Sequence, residues 1–395
     1  MLSVSFFFYQ LVLRMWPGLV QNDLIRHWGI DEKSFGWINS IYYCTYGLMQ
    51  IPMALLFDRF AYHRVFFISS FLCAFAFFIL NNSSDLRIVF LMSGILGGSS
   101  AAGVLGMSKV LSLWFPREMY SRMLGLSIGI GLLGCIVGKG SLINECVKSW
   151  GFRSVGTGLA IGFMLLAVLM ILFMRMPKVY KTASSFCASD CLVLMRSPLM
   201  WGLGIVNFLL VGGQAGFADV WGSGYMSVAY GLSREYALDA VQYIFLGVVV
   251  GSPLMPWIGK KITDFWVTVL CGFLISGLFV IMMTRPCMYS HHILRSSMFF
   301  LGIVCGYQTN LLSLGVDFVD KRFMGVTVGF LNSLNMIGGA FFNAVIGTLM
   351  GMNPGAEKTV SDHNIALSII PIAAIAGSVM LLIIRRLSFW KKISS

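Results

Sequence analysis

Apolar runs of roughly bilayer length, separated by short charged loops, recur along almost the whole of this chain. A helix that crosses a membrane needs about 20 mostly apolar residues. Twelve stretches meet that need: 4–25, 34–56, 65–81, 88–114, 122–146, 155–175, 199–223, 237–258, 265–283, 293–316, 324–350 and 365–385. With 57% hydrophobic and only 11% charged residues, the chain cannot clothe a water-facing surface, where about a quarter of the residues are usually charged. The composition therefore predicts an all-α integral membrane protein whose first partner is the lipid bilayer. The net charge of +12 does not point to nucleic acid. Lys and Arg stand singly or in pairs between apolar runs, as anchors at a membrane edge do.

The longest connection, MPKVYKTASSFCASDCLVLMRSP, falls between the sixth and seventh runs. It divides the chain into residues 1–175, a central loop 176–198, and residues 199–395. With the N-terminus in the cytoplasm, sixteen of the 28 Lys and Arg lie on the cytoplasmic side and nine on the outer side. The excess predicts that both termini are cytoplasmic. The remaining three, Arg14, Lys109 and Lys139, fall within spans. Arg14 also interrupts the first apolar run where a signal core is uninterrupted, so that run reads as a membrane helix.

Several familiar patterns lack their context. Gly129–Gly134 matches Gly-x-Gly-x-x-Gly, but it lies inside a span, where small residues let helices approach closely, and not between a strand and a helix. Gly138-Lys139-Gly140-Ser141 lacks the spacing and hydroxyl of a phosphate loop. The nine cysteines are odd in number and mostly within spans, which argues against a disulfide framework. Cys187 and Cys191 have no third ligand nearby, and the pair His291–His292 has no adjacent carboxylate. No metal, cofactor or catalytic residue is expected, and hence no enzyme.

One loop carries more information. Met53–Phe66, MALLFDRFAYHRVF, sets Asp58, Arg59 and Arg64 between the second and third apolar runs. Leu56, Asp58, Arg59 and Arg64 resemble the signature loop between helices two and three of major facilitator superfamily transporters. LWFPREMYSR (113–122), the glycine-rich GLSIGIGLLGCIVGKG and VGFLNSLNMIGGAFFNAVIG (328–347) resemble three further segments of that family. The chain departs from it in helix four, where Phe90–Ser93 hold no arginine. The resemblance implies twelve transmembrane helices in two pseudo-symmetric six-helix bundles, and a substrate cavity between them reached alternately from each side. It also implies a gating or coupling role for Asp58, Arg59 and Arg64. A second copy of the loop, GSPLMPWIGKKI (251–262), aligns Pro253 with Pro52, Lys260 with Arg59 and Gly259 with Asp58. The carboxylate is lost at that position.

Arg14 is the sharpest single residue. A rise of about 1.5 Å per residue puts it roughly 13 Å into the first helix. A charge there costs at least about 2.5 kcal/mol and calls for a wet cavity or a partner. FFFYQLVLR resembles the first helix of organophosphate–phosphate antiporters, a sugar-phosphate permease-like branch in which an arginine here holds the anion. Their second arginine aligns with Gln214. A two-arginine clamp suits a dianionic phosphate; one arginine and an amide suit a carboxylate or a zwitterion. Asn310 is a further polar contact, Lys109 and Lys139 bias the site positive, and Asp219 is placed for gating or coupling. The expected function is secondary transport of a small organic anion or zwitterion by a monomer in a bacterial inner membrane. The alternative from another class is a transporter-like sensor that binds ligand without moving it, which would call for a signalling domain.

Overall fold

The computed structural model describes residues 1–174, 194–284, 290–319, 324–352 and 358–386. Cys187, Cys191 and most of the central loop lie outside them. Among the described residues the chain is helical and contains no strand. The helices are α1 (Leu2–Leu19), α2 (Gln21–Trp28), α3 (Glu32–Arg59), α4 (Tyr62–Asn82), α5 (Leu86–Ser100), α6 (Ala102–Trp114), α7 (Arg117–Lys139) and α8 (Ser141–Phe173). There follow α9 (Pro198–Ala215), a π-helical segment (Gly216–Trp221), α10 (Gly222–Ala229), α11 (Arg234–Ile262), α12 (Asp264–Thr284), α13 (His291–Cys305) and α14 (Gln308–Asp317). The last are α15 (Met324–Met350), α16 (Val360–Leu367) and α17 (Ile369–Arg386).

Helices are the outcome that lipid allows, because each backbone N–H and C=O must find its partner within the segment. Among the described residues nine helical stretches are long and apolar enough to cross a membrane, and Met123–Lys139 is a shorter apolar one. Two further helices, α1 and α3, fall outside that set. They carry polar side chains in their interiors: Gln10 and Arg14 in α1, Asn39, Ser40 and Gln50 in α3. These polar side chains include the candidate site residue Arg14. The α4 helix shows the ordinary pattern. Ile68, Phe71, Phe75 and Phe78 form an exposed stripe, while Phe66, Ser70, Cys73 and Phe77 on the other face are buried, the arrangement of a helix with lipid on one side and protein on the other.

The described chain forms two compact units. One comprises Met1–Ile30 and the residues from Ile41 through α8; the other comprises Asp31–Ser40 and the residues from 194 onward. In the first, α1 packs along α7 and α4 along α8. In the second, α11 packs along α13, and α9 along α15 and α17. The glycines of α7 explain the α1–α7 contact. A Cβ at Gly131 would lie 2.1 Å from the Phe7 ring, and one at Gly134 would lie 2.2 Å from the Phe8 carbonyl oxygen. The second and third glycines of the Gly-x-Gly-x-x-Gly run, Gly131 and Gly134, are a packing surface.

Some expected spans are interrupted, 4–25 at Val20 and 122–146 at Gly140. Residues 122–146 do not form a single helix. The α7 helix ends at Lys139, Gly140 is extended (φ −72°, ψ 163°), and α8 then runs from Ser141 with a break at Gly151, whose φ is 77°. Two glycines move the turn of the chain to places that hydropathy does not mark.

Candidate functional site

In the first unit the polar interior is built by α1 and α3. Gln10 and Arg14 are one helical turn apart on α1 and so share a face. Arg14 Nε donates to the Tyr43 hydroxyl at 3.1 Å, and its guanidinium lies over the Tyr43 ring, 4.9 Å from the centroid. Gln10 Nε2 donates to the Tyr42 hydroxyl at 3.2 Å. Tyr42 packs edge-on against Tyr43 and close to Tyr46. The Arg14 charge acts on the hydroxyls of both Tyr42 and Tyr46, and Gln50 stands beside Tyr46. Gln10, Tyr42, Tyr43, Tyr46 and Gln50 are all buried, and Gln10 Oε1 has no hydrogen-bond partner among the described residues. The result is a cation held among phenols and amides. Its plane is fixed by a hydrogen bond and a ring contact together, and a fixed guanidinium fork is what recognises a carboxylate.

The other sequence-predicted cations sit elsewhere. Lys109 on α6 is ion-paired to Asp58 at the end of α3, both partly buried. It is therefore engaged with the signature loop. Lys139 is fully buried at the last residue of α7, where the helix's free carbonyls favour a cation. Arg59 and Arg64 are exposed at the ends of α3 and α4.

In the second unit, Gln214 near the end of α9 donates from Nε2 to the Tyr307 hydroxyl at 3.0 Å, while its Oε1 has no hydrogen-bond partner among the described residues. Asp219 is buried within the π-helical segment that follows. Such a turn holds one extra residue, and π turns are frequent at functional sites. The Trp221 ring in the same segment meets Phe35 edge-on at 5.8 Å. Asn310 is engaged differently from expectation. Its Nδ2 donates to Asp264 Oδ1 at 2.7 Å and to the Met255 carbonyl at 3.1 Å, so its amide nitrogen ties three helices together.

The structure thus gathers Arg14 with Gln10, Tyr42, Tyr43, Tyr46 and Gln50, and pairs Asp58 with Lys109. Gln214 stands with Tyr307, and Asn310 with Asp264. Gln10, Tyr307 and Asp264 are additions that the sequence reading does not contain. Gln10 has a signal, its spacing of four from Arg14. Among the described residues no cluster of three or more His, Cys, Asp or Glu could hold a metal ion.

Comparison with known proteins agrees with this architecture. The family model described as Major Facilitator Superfamily matches residues 2–343. A probable galactarate/D-glucarate transporter of Bacillus subtilis (strain 168) is 24% identical over 165 residues, 40% of this chain and 35% of that protein. The chain therefore matches about a third of that relative's length. Among solved structures, a bacterial homologue of the human lysosomal transporter Spinster, inward-facing and occupied, superposes with a TM-score of 0.75 at 13% identity. That match covers 98% of this chain and 94% of the other. A mutant form of the nucleoside transporter NupG gives a TM-score of 0.75 at 13% identity over 96% of this chain and 98% of its own. At such identities these two structures speak to fold alone.

Proposed function

Because the chain belongs to the Major Facilitator Superfamily, we propose that it is a secondary transporter of a small organic anion, with sugar-acid carboxylates such as D-glucarate and galactarate as the first substrates to try. The observation that carries this reading is the seating of Arg14 against Tyr43. A guanidinium inside a membrane helix is costly unless it serves a pathway or a binding site. The neighbouring phenols and amides offer both donors and acceptors, which suits a polyhydroxylated anion better than a bare phosphate. The relative named for galactarate and D-glucarate supports the same class of cargo.

In this reading Arg14 anchors the anionic group. Gln10 and the tyrosines of α3 hold its hydroxyls. Asp219, in its π turn, serves gating or coupling, as do Asp58, Arg59 and Arg64. Lys139 adds positive potential. The working topology is twelve transmembrane helices in two pseudo-symmetric halves, with both termini cytoplasmic, acting as a monomer in a bacterial inner membrane. The test is uptake of labelled D-glucarate and galactarate into proteoliposomes. Arg14→Gln is expected to lose uptake and Arg14→Lys to keep part of it. Wild-type rate and affinity in Arg14→Gln would remove Arg14 from the site.

A further inference from the structure

The second copy of the signature loop lacks a carboxylate at Gly259, yet a carboxylate stands in that place. The register that lays Pro253 on Pro52 and Gly259 on Asp58 also lays Asn310 on Lys109. In the first unit Asp58 pairs with Lys109. In the second, Asn310 pairs with Asp264, five residues beyond Gly259 in the chain, at 2.7 Å. A Cβ built on Gly259 would fall 2.1 Å from Asp264 Oδ1 and 2.5 Å from Asn310 Nδ2. The Asp264 carboxylate thus fills the volume in which a side chain at 259 would begin.

The backbone is bent to put it there. Thr263, immediately before Asp264, has φ 79°, and it is the one non-glycine with positive φ among the described residues. A β-branched residue adopts that conformation only where its surroundings force it, and such strain gathers at functional positions. The corresponding stretch of the first unit is relaxed, with Ala61 at φ −60°, ψ 123°. Asn310 stands where the first unit has Lys109, so a charged pair in one unit answers to a carboxylate–amide pair in the other.

We propose that Asp264 is the second unit's counterpart of Asp58, a positioning carboxylate that ties α11 and α12 to α14 and supports the transport cycle from that half. Only the transport readout of its test rests on the function proposed above.

The experiment relocates the carboxylate. Labelled D-glucarate uptake and thermal melting in detergent are measured for Asp264→Ala, Gly259→Ala and the double variant Gly259→Asp/Asp264→Ala. Asp264→Ala and Gly259→Ala are each expected to lower turnover by on the order of tenfold, the loss of one hydrogen bond to a charged group, and to lower the melting temperature. The double variant, with its carboxylate back in the register of Asp58, is expected to recover most of both. A double variant no better than Asp264→Ala, or wild-type behaviour in Asp264→Ala, overturns the proposal. If the unmodified protein does not move D-glucarate, the substrate assignment fails. The melting series then decides for Asp264 by the same comparison, with rescue supporting it and no rescue overturning it.

Discussion

Arg14 and Tyr43 meet in two ways at once: the guanidinium Nε donates to the phenol oxygen at 3.1 Å while its carbon lies 4.9 Å from the ring centroid. One contact fixes direction and the other fixes plane. Tyr43→Phe keeps the ring and deletes the hydrogen bond. It is expected to weaken substrate binding by roughly two- to tenfold, the worth of one ordinary hydrogen bond, with little change in maximal rate. A KM for D-glucarate equal to that of the wild type would show that Tyr43 does not orient the fork.

The Asp58–Lys109 pair joins the end of α3 to α6. Both side chains are partly buried, so loss of one partner strands the other at a cost of about 1–2 kcal/mol, below that of a fully buried pair. Asp58→Asn is expected to slow turnover several-fold while KM stays near the wild-type value. The exchange Asp58→Lys/Lys109→Asp is expected to recover part of the rate. Equal turnover in wild type and Asp58→Asn would remove the pair from the transport cycle.

Packing of α7 on α1 leaves no room at Gly134, where a Cβ would lie 2.2 Å from a backbone oxygen that cannot rotate away. Gly134→Leu is expected to destabilise the first unit by about 1–3 kcal/mol or more through overpacking. Gly129, with nothing within 4 Å of its Cβ position, is expected to accept alanine. Melting temperatures of Gly129→Ala and Gly134→Leu in the same detergent make the comparison; equal values would contradict the α1–α7 contact.

Strain at Thr263 makes a prediction of the opposite sign. Thr263→Gly relieves a positive φ that costs a β-branched residue about 1–3 kcal/mol, offset in part by the greater chain entropy of glycine. A net gain of about 1 kcal/mol, read as a higher melting temperature, is expected. A drop would mean that the threonine side chain contributes more than its backbone loses.

His27, on α2 outside the long spans, accepts from Arg153 Nη2 at 2.7 Å. Burial first, and then the Arg153 charge, hold its pKa below the ordinary 6.5. The folded state therefore favours the neutral ring. Its contribution to stability is complete above pH 6.5 and declines as the pH falls through that value, because the unfolded chain then takes up the proton more readily. His27→Gln is expected to flatten the melting temperature between about pH 7.5 and about pH 5.5. An unaltered slope would place the pH dependence elsewhere.

Much of the fold is legible in the sequence because lipid leaves a chain few choices. Runs of apolar residues long enough to span must be helices, and the charged loops between them show where they end. Arg14 is legible for the same reason, as a charge where charges are rare. Its companions are harder to read. Gln10 differs from the other amides of the spans only in facing Arg14, and the face of a helix is settled by its neighbours. Asp264 is hidden because equivalence in space is not equivalence in register: its carboxylate reaches back past Gly259 through a strained turn. Lys109 and Asn310, read singly, look like substrate contacts. Their partners, Asp58 and Asp264, lie 51 and 46 positions away. The break at Gly140 escapes a hydropathy reading because hydropathy does not register a change of backbone direction.

The π-helical segment Gly216–Trp221 carries a last consequence, for how this span tolerates change in length. Removing a residue from an α-helix swings every later side chain about 100° around the axis, so a buried helix rarely survives a deletion. A π turn already holds one residue more than the regular helix. Losing one there would leave plain α-helix, with α9 and α10 each keeping the faces they now bury and only Asp219 and its neighbours changing direction. The surplus residue makes this buried stretch the place where the span can be shortened by one, and where doing so would turn the acid away without disturbing the packing on either side.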